Sequence, residues 1–318
     1  MKYDLAPMEG VTDAVYRSLC HRMFTPFDRY YTPFLTPTAD RLLTARQLRE
    51  LDPARNAGME VVPQLLVNDS EPFLWMAGVL KDMGFREVNL NLGCPSGTVA
   101  KKKKGSGLLG QPELLERLLD GIFDRTPLPV SVKTRAGLRS EAEFGPILAL
   151  FNRYPICELI VHPRVQKDLY SDPVRMDAFA LAMAESRAPV CYNGGLWAPE
   201  DVDGIKARFP ALDAVMLGCG AVANPGLTGY LKTGDWITLD QLRAFHDALY
   251  AEFRVVMPGF KPTVFRMREY WSFWENLFEA PAKQLKRIRK ATDFAAYEQA
   301  VRDLFAECPF LPDGTYCP

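Results

Sequence analysis

Short apolar runs alternate with amphipathic segments up to about residue 220. The runs at 4–8, 29–34, 60–67, 87–92, 129–135, 158–163, 189–193 and 214–218 have the length and composition of strands. Between most of them lie segments with apolar residues at i, i+3 and i+4, such as 73–83 and 113–123. Pro112 and Pro199 suit the first turn of a helix, where a missing N–H costs nothing. Eight strands alternating with helices predict an α/β fold, a (β/α)8 TIM barrel. Beyond about residue 235 the strand signal stops. Segments 239–256, 264–278, 282–291 and 294–305 are amphipathic or rich in aromatics and predict a small C-terminal all-α helical bundle. The expected organisation is a barrel over 1–235 and a helical domain over 236–318. Trp271, Phe273 and Trp274 are expected in the bundle core rather than on a base-stacking platform.

In a parallel barrel the strands are apolar and functional groups gather at their C-terminal ends. The expected strands end on Met8, Gln64, Asn91 with Cys94, Lys133 with Arg135, His162 with Arg164, Asn193, and Gly218. One such residue is most simply a polar group satisfied in place. Six strands at once point to a single functional rim. The sharpest end is Asn89-Leu90-Asn91-Leu92-Gly93-Cys94-Pro95, a strand whose polar face stops at one thiol. Lys101, Lys102, Lys103 and Lys104 follow within ten residues. An acid thiol next to a phosphate-suited patch points to chemistry on a nucleic-acid base.

Bulk numbers narrow this only modestly. A chain of 318 residues with 48% hydrophobic content can bury a sizeable core. Its net charge of −1 means that any nucleic-acid site must come from local clustering. Lys283, Lys286, Arg287, Arg289 and Lys290 supply a second cluster, and the spacing of Lys283, Lys286, Arg287 and Lys290 puts them on one helix face. Seven cysteines without CxxC spacing argue against a disulfide framework or a metal site and for a reducing cytoplasm. Cys191 and Cys219 read as core residues; Cys20, Cys157, Cys308 and Cys317 carry no pattern. No signal peptide or membrane-spanning run is read. Gly105-Ser106-Gly107-Leu108-Leu109-Gly110 is a literal GxGxxG, but it follows four lysines instead of a strand, so it reads as a flexible loop entering a helix at Pro112.

Several strings, in order over some 215 residues, resemble the tRNA-dihydrouridine synthases, flavin enzymes that reduce uridine in tRNA. They are Ala6-Pro7-Met8-Glu9-Gly10-Val11-Thr12-Asp13; Gln64; Asn89-Leu90-Asn91-Leu92-Gly93-Cys94-Pro95-Ser96; Ser131-Val132-Lys133-Thr134-Arg135; His162-Pro163-Arg164; Asn193-Gly194; and Gly218-Cys219-Gly220-Ala221. The resemblance implies an FMN-binding barrel followed by a helical RNA-binding domain. It implies a hydride from FMN to C6 of uracil and a proton from Cys94 to C5. A free thiol has a pKa near ~8.5 and is mostly protonated at neutral pH, as an acid must be. Pro7, Met8, Gln64, Lys133, His162, Asn193, Gly194, Gly195, Gly218, Cys219 and Gly220 would hold FMN, with Lys133 at the ring edge where negative charge collects. Asn91, Arg135, Arg164 and Tyr170 would hold the flipped uracil. Lys101, Lys102, Lys103, Lys104, Lys283, Lys286, Arg287 and Lys290 would contact RNA phosphates. NADPH is implied as a transient reductant, tRNA as the partner with ribosomal RNA as the alternative, and a monomer without metal as the state.

The chain departs from the family pattern at Val165, where threonine is usual, at Cys219, where arginine is usual, and at Gly195, where aspartate is usual. Two of these adjoin the expected phosphate site and remove a charge of each sign. Two rival readings share much of the pattern. A flavin barrel acting on a free small molecule, such as a dihydropyrimidine or dihydroorotate, would need neither the helical domain nor its basic face. A non-catalytic RNA-binding relic would not need Asn91, Cys94, Lys133 and His162 together.

Overall fold

The computed structural model of the chain describes residues 1–316; Cys317 lies outside the described residues. Nine parallel strands form one sheet: β1 (Lys2–Leu5), β2 (Arg29–Tyr31), β3 (Val61–Val62), β4 (Gln64–Leu65), β5 (Val88–Leu92), β6 (Val130–Gly137), β7 (Leu159–Val165), β8 (Val190–Asn193) and β9 (Ala214–Leu217). Their order, β3-β2-β1-β9-β8-β7-β6-β5-β4, returns to its start because only Pro63 separates β3 from β4. Proline has no N–H for the ladder and breaks the expected strand at 60–67 into two. Val61 and Val62 pair with β2, while Gln64 and Leu65 pair with β5. Eight expected staves therefore appear as nine strands of a TIM barrel. Helices Ser70–Asp82, Pro112–Arg125, Phe144–Phe151 and Met176–Glu185 follow the strands. Asp69 caps the first of these through the Glu71 N–H, and Pro112 opens the second.

The barrel interior is filled by a buried cluster of Ala6, Tyr31, Val62, Ile160, Cys191, Ala214 and Met216. Each fully buried Val-, Ile- or Met-sized side chain contributes on the order of 1.5–3 kcal/mol. Toward the strands' N-terminal ends Arg29 Nη2 donates to Asp4 Oδ2 and to Glu158 Oε1, both at 2.6 Å. Tyr31 donates to Glu158 Oε2 at 3.1 Å. Burial raises the Asp4 pKa to about 7, against the opposing pull of Arg29.

By packing, the chain forms two compact units. The first comprises Met1–Glu9, Asp28–Gly195 and Ile205–Leu217 and holds all nine strands. The second comprises Gly10–Phe27, Leu196–Gly204 and the chain from Gly218 onward. In the second unit, helices Leu239–Val256, Phe260–Trp274, Ala282–Lys290 and Phe294–Glu307 occupy the region where helices alone were expected. Helix Ala14–Met23 packs with them, its Tyr16 ring stacked on Tyr270 at 5.5 Å. Trp271 and Trp274 are buried; their indole N–H groups donate to Tyr297 Oη and to the Val222 carbonyl, each at 3.0 Å. These two rings are core as expected; Phe273, expected with them, is only half-buried, because it points off the face that Trp271 and Trp274 share. Among the described residues, no helix is long and apolar enough to cross a membrane, and no His/Cys/Asp/Glu group could hold a metal ion.

Candidate active site

Parallel register aligns the polar strand ends of the first unit. Asn91 sits opposite Lys133, and Arg135 opposite His162. Cys94 follows β5 directly. Its backbone N–H donates to Asn91 Oδ1 at 2.9 Å, and the Gly93 N–H donates to the same oxygen at 3.0 Å. The asparagine thus caps the strand end and shapes the thiol loop. Burial pushes the Cys94 thiol above its ordinary pKa. A thiol in this setting is protonated at neutral pH.

A segment without an assigned role in the sequence supports this loop from behind. The expected flexible loop at 105–110 is instead a largely buried 3₁₀ turn, Gly105–Gly110. The Ser106 hydroxyl donates to the Cys94 carbonyl at 2.7 Å. Gly105 has φ +55°, and a Cβ there would lie 2.9 Å from Cys94 Cβ. The glycines serve close packing, so a run that looked permissive is buried and tightly packed. Its polar, glycine-rich composition carries no signal that separates the two states.

Lys133 Nζ donates to Asn193 Oδ1 at 2.7 Å, and burial, helped by Arg135, lowers its pKa to about 8. Asn193 is held in turn through its Nδ2, which donates to the Met216 carbonyl at 2.8 Å. Arg135 turns most of its guanidinium to backbone. Nε donates to Gly93 O at 3.2 Å, and Nη1 to Val165 O at 2.6 Å and Asp168 O at 3.3 Å. Arg164 donates to the carbonyls of Tyr170 and Asp172. Its Nη1 lies 3.0 Å from His162 Nε2. Arginine only donates, so Nε2 accepts and the ring hydrogen sits on Nδ1. Burial and then the cations Arg135, Lys133 and Arg164 hold the His162 pKa well below its usual value, so the ring is neutral.

The two arginines hold a loop, 165–175, whose contribution the sequence did not reveal. Asp168 binds the Val165 N–H and Arg175, Asp172 binds the Leu169 N–H, and Gln166 Nε2 donates to the Pro95 carbonyl at 2.7 Å. Tyr170 rides on this loop, half exposed, its ring near-parallel to His162 with centroids 6.3 Å apart. The Val165 side chain, where the family pattern has threonine, is fully buried.

Gly194 has φ +120°, and a Cβ there would lie 2.5 Å from His162 Cδ2. Gly194→Ala is therefore expected to cost about 3 kcal/mol, a fall in Tm of roughly 5 °C, readable by circular dichroism. An unchanged Tm would mean that the imidazole swings aside freely. Gly195 follows with φ +64°. Pro7 and Met8 follow β1 in the first unit. Gly218, Cys219 and Gly220 belong to the second unit, where Gly220 lies against the Leu196 carbonyl and Cys219 is buried in a short helix, Cys219–Ala223.

The lysine run lies at the end of helix Gly97–Lys101 and just beyond it. Lys101, Lys102 and Lys103 are exposed, and Lys104 is half-buried. In the second unit, Lys283, Lys286, Arg289 and Lys290 are exposed on helix Ala282–Lys290. Arg287, on the same helix, is engaged by Asp303 at 2.5 Å.

The polar set in the barrel, a cation at Lys133 with amide donors at Gln64 and Asn91, suits the acceptor edge of a flavin ring. A cation whose pKa is lowered by burial gains most from a bound anion.

Comparison with known proteins gives the family. A family model described as Dihydrouridine synthase matches residues 4–292. A tRNA-dihydrouridine(16) synthase of Pseudomonas putida is 32% identical over 235 residues, covering 71% of this chain and 72% of that protein. A protein of the same description from Neisseria meningitidis serogroup B is 29% identical over 320 residues, covering 95% and 93%. A tRNA-dihydrouridine synthase B of Shewanella oneidensis is 28% identical over 277 residues, covering 79% and 81%. Among solved structures, morphinone reductase in complex with tetrahydroNAD superposes with a TM-score of 0.52 at 12% identity, covering 74% of this chain and 88% of that one. At that identity the likeness speaks for the barrel alone. The chain is an enzyme of the dihydrouridine synthase family.

Proposed function

We propose that this enzyme reduces uridine to 5,6-dihydrouridine in tRNA, with FMN as cofactor, NADPH as reductant and Cys94 as the acid. The observation that carries the reading is the Cys94 thiol, protonated by burial and held by Asn91 at the same barrel rim as Lys133 and neutral His162. When bound, FMN supplies the hydride for C6 of the uracil ring. Cys94 gives its proton to C5, and Asn91 and Ser106 keep the thiol loop in place for that transfer. Lys133 stabilises negative charge at the flavin edge, with Gln64 and His162 as further contacts. Pro7, Met8, Asn193, Gly194 and Gly195 complete the proposed FMN site in the barrel unit.

For the uracil ring, Arg135 retains Nη2 after its backbone bonds, and Asn91 retains one N–H. Arg164 contributes by holding Tyr170 and its loop. The segment 236–318 would bind RNA, and the exposed lysines at 101–103, 283, 286 and 290 would meet phosphates, each weakening binding with salt as a released counterion does. Lys104 would contribute less because it is half-buried, and Arg287 because Asp303 already neutralises it. The names of the relatives favour tRNA over ribosomal RNA, and a cytoplasmic monomer fits an enzyme that meets tRNA there.

The test is mass-spectrometric mapping of dihydrouridine in tRNA and rRNA from a strain lacking the gene. Loss at a defined tRNA position, restored by the wild type and not by Cys94→Ala, is expected. Unchanged dihydrouridine in every RNA, in a strain without a second synthase, would overturn the reading.

A further inference from the structure

Asn91 is one member of a longer hydrogen-bonded series along the barrel interior. Its Nδ2 donates to Gln64 Oε1 at 2.6 Å. Gln64 Nε2 donates to Asn89 Oδ1 at 2.8 Å, and Asn89 Nδ2 donates to Ser131 Oγ at 2.9 Å. Asn89 and Ser131 are fully buried, and the reaction gives neither of them a part.

The direction of the series is dictated at one end. Backbone N–H groups can only donate, so the Asn91 atom that meets Gly93 and Cys94 must be its oxygen. Its other terminal atom is then nitrogen, which must donate, so it meets the Gln64 oxygen. The same logic turns the Gln64 nitrogen to the Asn89 oxygen and the Asn89 nitrogen to Ser131. A flip of one amide would set oxygen against oxygen and nitrogen against nitrogen in a buried site, where unpaired polar groups are costly. Asn91 has spent its oxygen on two N–H groups. It is left with one donor, which can read a ring carbonyl and not an amino group.

We propose that Asn89 and Ser131 are positioning residues for this enzyme. Through Gln64 they lock the Asn91 amide so that its oxygen holds the Cys94 loop and its nitrogen faces the ligand. For the identity of those ligands, FMN and uracil, the inference rests on the function proposed above; the lock itself is a property of the protein alone.

The experiment compares Asn89→Leu, Asn89→Asp and Ser131→Ala with the wild type in two ways. One is the rate of Cys94 alkylation by iodoacetamide in flavin-free protein, followed by peptide mass spectrometry. The other is the FMN Kd, from fluorescence quenching. Asn89→Leu is expected to change both about fivefold, alkylation faster and FMN weaker, as loss of one or two net hydrogen bonds implies. Asn89→Asp should restore most of both, because the buried acid in its protonated form still accepts from Gln64 through its carbonyl and donates to Ser131 through its hydroxyl. A packing role alone would not separate leucine from aspartate in this way. If Asn89→Leu does not fold, Ser131→Ala carries the test, since it removes one oxygen and leaves the Asn89 nitrogen without an acceptor. Wild-type values for both readouts in Ser131→Ala and in any folded Asn89→Leu, or an Asn89→Asp as impaired as Asn89→Leu, would overturn the proposal. Should dihydrouridine prove unchanged in the deletion strain while these values follow the expected pattern, the uridine reading fails and the positioning role stands.

Discussion

Cys94→Ala is expected to keep FMN bound and to lose turnover on tRNA by about 10²- to 10⁴-fold, the usual worth of a positioned general acid. The loop should survive the change because its anchors are backbone atoms: the Cys94 N–H on Asn91 and the Cys94 carbonyl under Ser106. Alanine also keeps the Cβ against which Gly105 packs. Only the proton donor is removed. Rapid-mixing kinetics with reduced enzyme and tRNA, beside the flavin absorbance spectrum, measures both halves. The pH profile adds a sign. The thiol pKa is raised, and the protonated form is the working one. Single-turnover rate should therefore be flat through neutral pH and fall only as pH rises through the raised value. Turnover within a few-fold of wild type in Cys94→Ala would assign the acid to another group.

Lys133→Met is expected to move two quantities in opposite directions. In the flavin-free protein the lysine is a cation in a poor place for one, its pKa lowered to about 8 by burial and by Arg135. Its folded pKa lies below the unfolded value of ~10.4, so the unfolded state binds more protons between the two. The charge therefore costs stability below pH 8, and that cost fades as pH rises from 8 toward the unfolded value. Methionine removes it, and the Tm of flavin-free protein at pH 7 should rise. FMN binding should weaken by about tenfold or more, the order of one charge-assisted hydrogen bond. A flavin carbonyl oxygen that accepts from Lys133 favours its charged form and raises its pKa, so binding takes up a proton when the free lysine is neutral. Wild-type Kd should thus weaken as pH rises above about 8, and the dependence should vanish in Lys133→Met. Fluorescence titration from pH 6.5 to 9.5 and a melting curve test this. An equal pH dependence in both proteins would place the titrating group elsewhere.

The basic helix illustrates where local pattern stops being informative. Spacing placed Lys283, Lys286, Arg287 and Lys290 on one face, and all four are exposed. Arg287 is also paired with Asp303, sixteen positions on, which no helical period could indicate. Arg135 and Arg164 show the same limit. Their strand-end positions were legible, but whether a guanidinium faces a ligand or a carbonyl depends on how the loops fold: Arg135 meets the carbonyls of Gly93 and Val165 at the ends of the neighbouring strands, and Arg164 those of Tyr170 and Asp172 in the loop after its own strand. The folded path of the chain, not the local period, sets the deciding partner.

The sequence by itself determined the barrel, the helical region after it, and the rim residues from Gln64 to Asn193, because period and strand-end position are properties of contiguous residues. It also carried the family, through short strings that need no fold to be recognised. Tertiary structure alone decided the rest. It split one stave at Pro63 into two strands with different partners. It joined residues 10–27 to the helices beyond 218 in one compact unit. It turned the glycine-rich run at 105–110 into a buried support for Cys94, and set the protonation of Cys94, Lys133 and His162. Packing density and local dielectric act through every neighbour at once, and those neighbours are chosen by the fold.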